Sequence, residues 1–171
     1  MIEVEIDSIR ISLVTQHRIV MLKEVDGERQ IPIWIGPCEA DAITIELQDV
    51  KVARPVTHDL LKNVITSMGG HVSHVLVKEL RDGIFHARLY LDANGTEMDI
   101  DCRPSDAIAL AVRVKVPIFI AEEVMAEVGI LPEADIQEQV GEAPEGSVDL
   151  EDADAFSDFL GTLDFEDFDE E

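Results

Sequence analysis

Cysteine and long apolar runs are scarce in this 171-residue chain. Its two cysteines, Cys38 and Cys102, form neither a disulfide framework nor a Cys-x-x-Cys metal motif, which is typical of a reducing compartment. No uncharged apolar stretch reaches the roughly 20 residues that a membrane helix needs. The first residues alternate between acids and aliphatics and do not resemble a signal peptide. We therefore expect a cytoplasmic protein without membrane contacts.

Basic residues are also few. The chain has 13 Lys and Arg and 37 Asp and Glu, which gives a net charge of -24. Residues 132–171 hold 16 of these acids and no base, which leaves a net charge of -8 on residues 1–131. Phosphate binding depends on clustered bases, so the scattered bases argue against strong non-specific DNA binding. The chain has no Gly-rich phosphate loop, nucleophile elbow or His-Glu-x-x-His motif, which argues against nucleotide kinases, α/β hydrolases and common zinc proteases.

The periodicity of apolar residues predicts two similar halves. In each half an alternating strand precedes a hairpin and a helix. Gly36-Pro37 ends the strand before the first helix, and Pro104 opens the second helix. The predicted hairpin turns are Asp26-Gly27 in the first half, and Asp82-Gly83 and Asn94-Gly95 in the second. A tandem duplication of a strand, hairpin and helix unit explains this order, although any hairpin followed by a helix looks similar. We expect an α+β fold with mixed or antiparallel sheets and helices packed on them.

The predicted domain covers residues 1–131 and is followed by an acidic tail, residues 132–171. The tail lacks periodic apolar positions to offset the entropy of ordering, so we expect it to be largely disordered. Its segment 155–168 is rich in Phe and has a short amphipathic pattern. This pattern fits a docking peptide for another protein surface and fits equally well a segment that packs on its own domain.

The segment from Arg54 to Asp59 concentrates reactive side chains where a loop enters a helix. His58 is a candidate general base, Asp59 a candidate carboxylate partner and Arg54 a candidate phosphate ligand. The alternative is ordinary capping, with Thr57 as the N-cap.

The segment from Asp99 to Asp106 is the second candidate. Asp99 and Asp101 project from one face of a predicted strand, and with Asp106 they form a set of oxygen ligands suited to Mg²⁺ or Mn²⁺. Arg103, Ser105 and the free amides of the helix that follows are candidate phosphate ligands. The alternative is a solvated strand face beside an acidic helix start. Glu39 and Asp41, the corresponding acids of the first half, could form a symmetric second carboxylate cluster; we interpret them as N-terminal helix charge.

Three segments resemble the bacterial and plant bifunctional nuclease domain. They are residues 31–43, 54–61 and 101–113, with the sequences IPIWIGPCEADAI, RPVTHDLL and DCRPSDAIALAVR. The resemblance spans about residues 1–130, and the acidic, Phe-rich end is similar to the tails of bacterial members. It implies an α+β domain that is usually a homodimer and cleaves both RNA and DNA.

Our leading hypothesis is therefore a hydrolase, a divalent-metal-assisted nuclease acting on RNA and DNA. The predicted catalytic residues are His58, Asp59, Arg103 and Asp106; the phosphate ligands are Arg54, Arg103 and Ser105; and the ligands of Mg²⁺ or Mn²⁺ are Asp99, Asp101 and Asp106. The alternative is a non-catalytic dimeric binding module whose tail is a docking or autoinhibitory peptide for a protein partner. The nuclease hypothesis requires His58 to lie within a water molecule's reach of the carboxylates.

Overall fold

The fold is known from a computed structural model that describes residues 1–11 and 17–131. The elements are β1 (Ile2–Ile11), β2 (Arg18–Glu24), β3 (Gln30–Ile35), α1 (Pro37–Leu47), α2 (Thr57–Ser67), β4 (Gly70–Arg81), β5 (Ile84–Ala93), β6 (Thr96–Cys102), α3 (Pro104–Val114), β7 (Ile118–Ile120) and α4 (Glu122–Val128). This content confirms the predicted α+β class. The predicted tail, residues 132–171, and its Phe-rich segment 155–168 lie outside the described residues.

The described strands form one seven-stranded mixed sheet in the order β3-β2-β1-β7-β4-β5-β6. Two antiparallel meanders, β1-β2-β3 and β4-β5-β6, flank the short strand β7, which runs parallel to β4 and antiparallel to β1. Each meander is followed by a helix, and these two helices, α1 and α3, pack against each other. The order strand, hairpin, helix therefore occurs twice, as the proposed duplication predicts.

The three predicted hairpin turns differ in their backbone conformation. Both residues of Asp82-Gly83 and both of Asn94-Gly95 have positive φ, the conformation that matches the twist of the flanking strands. Neither residue of Asp26-Gly27 does, so the prediction of a tight turn there is wrong. The chain forms a longer loop instead, in which the Glu24 carboxylate accepts hydrogen bonds from the Arg29 side chain, at 2.9 Å, and from the Arg29 backbone amide.

Helix α3 lies at the centre of the core because it is apolar on nearly every side. It packs on β4 and β5 through one face and on α1 and α2 through others. Ile108 and Leu110 are fully buried, and small residues such as Ala109 and Ala111 let the neighbouring elements approach closely. This packing fixes the first turn of α3 against the first turns of α1 and α2. None of the helices within the described ranges has the length and apolar character needed to cross a lipid bilayer.

Candidate active site

A cleft of about 350 Å³ lies where the N-terminal turns of α1, α2 and α3 meet. His58, from the start of α2, lines it together with Arg103 and Asp106, from the start of α3. Glu39 and Asp41 of α1 are the other acids that line it. The two reactive segments identified in the sequence therefore meet in one cleft, although the chain separates His58 from Asp106 by 48 positions.

The helix starts at this cleft are defined by local sequence. A proline occupies the first turn of both α1 and α3, where its fixed φ favours the helix and its missing N–H costs no hydrogen bond. The preceding residues, Gly36 and Arg103, are extended, and neither helix has a side-chain cap. The first turns therefore present unbonded amides and the positive ends of two helix dipoles, a setting that favours anions.

A continuous chain of polar contacts joins the side chains of the cleft. The His58 Nε2 atom lies 3.3 Å from Asp106 Oδ1, and Arg103 Nε donates to Asp106 Oδ2 at 2.7 Å. Arg103 Nη2 also donates to Glu39 Oε1 at 2.5 Å. The side chain of His58 is 10% exposed and that of Arg103 is 67% exposed. The chain of contacts thus leads from an enclosed imidazole to a guanidinium that solvent and ligands can reach.

The ionisation of Asp106 determines how His58 is oriented. Burial disfavours the charged carboxyl, but hydrogen bonds from Arg103 and His58 outweigh burial and lower the pKa of Asp106 below its ordinary value. The same contacts, first with Asp106 and then with Glu39, raise the pKa of Arg103. An ionised carboxylate only accepts hydrogen bonds, so a neutral His58 carries its proton on Nε2 and leaves the lone pair of Nδ1 free.

The Nδ1 atom of His58 is not engaged by the described part of the chain. It makes no hydrogen bond to any residue in the ranges 1–11 and 17–131, and His58 lines the cleft. This arrangement is suited to a histidine that takes a proton from a water molecule in the cleft.

Asp59 anchors the start of α2 and does not line the cleft. Its Oδ2 atom accepts a hydrogen bond from the Val56 amide at 2.9 Å, and its Oδ1 atom accepts one from Arg113 Nε at 2.7 Å. Burial raises the pKa of Asp59, but these two hydrogen bonds outweigh it, so the net shift is downward. The N-cap of α2 is Val56, so the expectation that Thr57 caps the helix is wrong.

Asp99 and Asp101 do not join Asp106. On β6, Cys102 and Ile100 pair with Ala87 and Leu89, residues of the buried sheet face. Asp99 and Asp101 alternate with them and therefore project from the opposite face. There they lie 3.4 and 3.9 Å from the Arg88 guanidinium.

The predicted site for Mg²⁺ or Mn²⁺ is therefore not formed by Asp99, Asp101 and Asp106. The described part of the chain contains no group of three or more His, Cys, Asp or Glu side chains placed to hold a metal ion. The sequence showed that the two strand carboxylates share a face, but not which face of the sheet α3 would cover. The metal requirement itself stays a prediction.

Two predicted phosphate ligands lie outside the cleft. Arg54 is exposed in the loop before α2, and Ser105 is buried in the first turn of α3. Neither residue is part of the cleft wall.

Two residues to which the sequence assigned no role in the site help to build it. Glu39, interpreted as helix charge, is only 15% exposed and is bonded to Arg103. Its position at the start of α1, which corresponds to the start of α3 in the duplicated unit, was the sequence feature that could have indicated this role. Arg113 is a buried charge within an apolar helix. It links α3 to Asp59 of α2 and to the Ala42 carbonyl of α1.

The fold and the cleft together define an α+β domain with a histidine, an arginine and carboxylates at converging helix N-termini. The family model described as "Bifunctional nuclease domain" matches residues 20–133, and the chain belongs to that family.

Relatives of the chain occur in bacteria and plants. An uncharacterised protein of Mycobacterium tuberculosis is 36% identical over 166 residues, which cover 97% of each chain. "Bifunctional nuclease 1" of Oryza sativa subsp. indica is 30% identical over 118 residues, or 67% of this chain and 36% of the plant protein. "Bifunctional nuclease 2" of Arabidopsis thaliana is 35% identical over 106 residues, or 60% of this chain and 32% of the plant protein. The chain thus spans about a third of these plant relatives.

Proposed function

We propose that the domain is a nuclease that hydrolyses phosphodiester bonds of RNA and DNA in the cleft of His58, Arg103 and Asp106. The observation that carries the proposal is the contact chain from His58 through Asp106 to Arg103, with distances of 3.3 and 2.7 Å, in a solvent-accessible cleft. Membership of the bifunctional nuclease family and the names of the plant relatives support the same activity.

In this mechanism His58 is the general base. Asp106 holds the Nε2–H group, so that Nδ1 takes a proton from the attacking water, and the ionised carboxylate then stabilises the imidazolium that forms. General-base catalysis of this kind contributes roughly 10² to 10⁴ in rate. Asp106 acts through His58 and is a positioning residue.

Arg103 and the helix starts stabilise the phosphate. The Nη1 atom of Arg103 makes no hydrogen bond to the described residues, so the guanidinium keeps a donor for a phosphate oxygen. The free amides at the N-termini of α1 and α3 add further donors where charge accumulates in the transition state. Glu39 and Asp41 oppose anion binding, so cations in solution should improve activity.

Cleavage of labelled single-stranded RNA and DNA by the purified protein tests this proposal, with parallel reactions in Mg²⁺, Mn²⁺ and EDTA. His58→Ala and Asp106→Asn should lower the rate by about 10² or more. Asp99→Asn is the matched control, because it makes the same chemical change on the opposite side of the sheet and should leave the rate within twofold. Full activity in His58→Ala would refute the mechanism. Loss in Asp99→Asn but not in Asp106→Asn would instead favour chemistry at β6.

A second candidate function, a dimeric binding module, is favoured by the apolar surface of α2. Leu60 is 59% exposed and Val64 45%, and Met68, directly after the helix, is 72% exposed. Their spacing of four residues places them along one face, and an exposed apolar face of this kind marks an interaction site. We propose that a second copy of the chain covers it. Leu60→Glu with Val64→Glu should convert a dimer to a monomer in light scattering, whereas Ile84→Glu at the exposed start of β5 should not. A wild-type monomer would rule this interface out.

The acidic tail, residues 132–171, is proposed to restrain the nuclease cleft by competing with nucleic acid. A chain truncated after residue 131 should then bind and cleave single-stranded RNA more strongly than the full chain. Equal affinity and equal rate in the two chains would exclude autoinhibition and leave the tail as a docking segment for a protein partner.

A further inference from the structure

A second cleft, also of about 350 Å³, lies at the opposite end of α3. Its charged and polar lining consists of Lys62, Thr66, His71, Arg113 and Lys115, and no carboxylate residue lines it. This composition stands out in a chain whose residues 1–131 carry a net charge of -8. Asp59 pairs with Arg113 behind this lining, but a recessed group of cations with no acid in its wall is the composition expected of an anion-binding site.

The two lysines of this cleft keep hydrogen-bonding capacity for a ligand. The Lys62 ammonium donates one hydrogen bond, to the Arg113 carbonyl at 3.1 Å, and retains two further N–H groups. Lys115 ends α3 in the left-handed conformation, with φ of 58°, and forms no ion pair with any described carboxylate. The Arg113 guanidinium is not available, because Asp59 and the Ala42 and Ala109 carbonyls engage it.

The geometry relates this cleft to the candidate active site. Arg103 and Asp106 stand at the start of α3, and Arg113 and Lys115 at its end. Eleven helical residues advance about 16 Å at 1.5 Å per residue. Along α2 the two clefts approach more closely, since His58 lines the first and Lys62, one turn or about 6 Å later, lines the second.

We propose that the cleft of Lys62 and Lys115 is a phosphate subsite for the backbone of a single-stranded nucleic acid whose scissile bond lies beside His58. This inference rests on the proposed nuclease function and specifies its substrate class. A strand that advances roughly 3.4 Å or more per nucleotide needs about two to five nucleotides to pass from one cleft to the other. A diester with a single phosphate cannot place a second phosphate in the subsite, so only a strand of several nucleotides benefits from it.

The test compares the double variant Lys62→Gln/Lys115→Gln with a matched control, Lys51→Gln/Lys78→Gln, whose lysines are exposed and line neither cleft. Binding of a labelled 12-nucleotide single strand is measured by fluorescence anisotropy across a KCl series. Each phosphate contact contributes about 0.7 to the slope of log K against log salt for single strands, so the loss of two contacts should reduce the slope by about 1.4. The control and the charge-preserving Lys62→Arg/Lys115→Arg variant should keep the wild-type slope.

Hydrolysis of bis(p-nitrophenyl) phosphate provides the second measurement, because this diester has only one phosphate and leaves the subsite empty when that phosphate lies beside His58. Its kcat/KM should stay within twofold in the double variant, while kcat/KM for the 12-nucleotide strand falls by about tenfold or more. Lys115→Gln alone, which breaks no hydrogen bond of the fold, should show about half of the slope change and the wild-type melting temperature.

The outcomes separate the two proposals. A wild-type protein that cleaves the strand while the double variant keeps the wild-type slope overturns the subsite and leaves the nuclease. A wild-type protein that binds the strand through these lysines without cleaving it retains the subsite and overturns the nuclease. If the double variant loses activity equally on the strand and on the small diester, the effect lies at the active site and the subsite is overturned. If the wild-type protein does not bind the strand, both proposals are overturned.

Discussion

Replacement of Arg113 by methionine should destabilise the domain more than any substitution of an exposed charge. The Arg113 side chain is 1% exposed and holds three helices together. It donates to Asp59 of α2 at 2.7 Å, to the Ala109 carbonyl of α3 at 2.7 Å and to the Ala42 carbonyl of α1 at 2.8 Å. Methionine retains the apolar stem and removes all three hydrogen bonds.

The expected loss of stability depends on the charged and polar groups that Arg113→Met leaves without a partner. Breaking one partner out of a buried ion pair costs about 3–5 kcal/mol, because the remaining charge and acceptors stay buried without a partner. The Asp59 side chain is 27% exposed, so water offsets part of that cost. We therefore expect the free energy of unfolding to fall by about 3 kcal/mol.

Urea unfolding followed by far-UV circular dichroism measures this loss; tryptophan fluorescence is less suitable because Trp34, the single tryptophan, is 61% exposed. Arg81→Met is the matched control, since it breaks the Glu79 ion pair, whose side chains are 63% and 42% exposed, and should cost less than about 1 kcal/mol. An Arg113→Met loss no larger than that of the control would refute the reasoning.

Three further predictions concern pH, packing and backbone strain. Folding lowers the pKa of Asp106, so its ionised form stabilises the domain at pH values above the unfolded pKa of about 4. This stabilisation is lost as the pH falls through the lower pKa of the folded state. In urea titrations, the free energy of unfolding should therefore fall less between pH 7 and pH 3 in Asp106→Asn than in the wild type. Ile43 of α1 is 0% exposed, so Ile43→Ala should lower the free energy of unfolding by about 2–5 kcal/mol. The surface substitution Ile84→Ala should lower it by less than about 0.5 kcal/mol. Gly83 has φ of +76° and open space around an added Cβ, so Gly83→Ala should lower stability only through backbone strain, by about 1 kcal/mol. Thermal melts measure this loss of stability. A loss as large as that of Ile43→Ala would show that the side chain at this turn also packs against the domain.

Local sequence was sufficient to predict most of the elements and part of the candidate site. Alternating residues predict strands, and proline at the first turn predicts the start of α3, because these preferences act within a few residues. His58, Arg103 and Asp106 were recognised from two short segments in the same way. The hairpin at Asp26-Gly27 was predicted wrongly, since the Glu24 to Arg29 contacts allow a longer loop than turn propensity alone would favour.

Tertiary structure alone decided which reactive groups meet. Arg103 bonds Glu39 across 64 positions and Arg113 bonds the Ala42 carbonyl across 71, and both contacts exist because α1 packs on α3. Because side chains alternate along a strand, the sequence shows that Asp99 and Asp101 share a face. Only the packing of α3 on the other face of the sheet places them away from Asp106. Sequence patterns report preferences along the chain, whereas a site depends on the register and packing of distant segments, and these arise when the whole core forms.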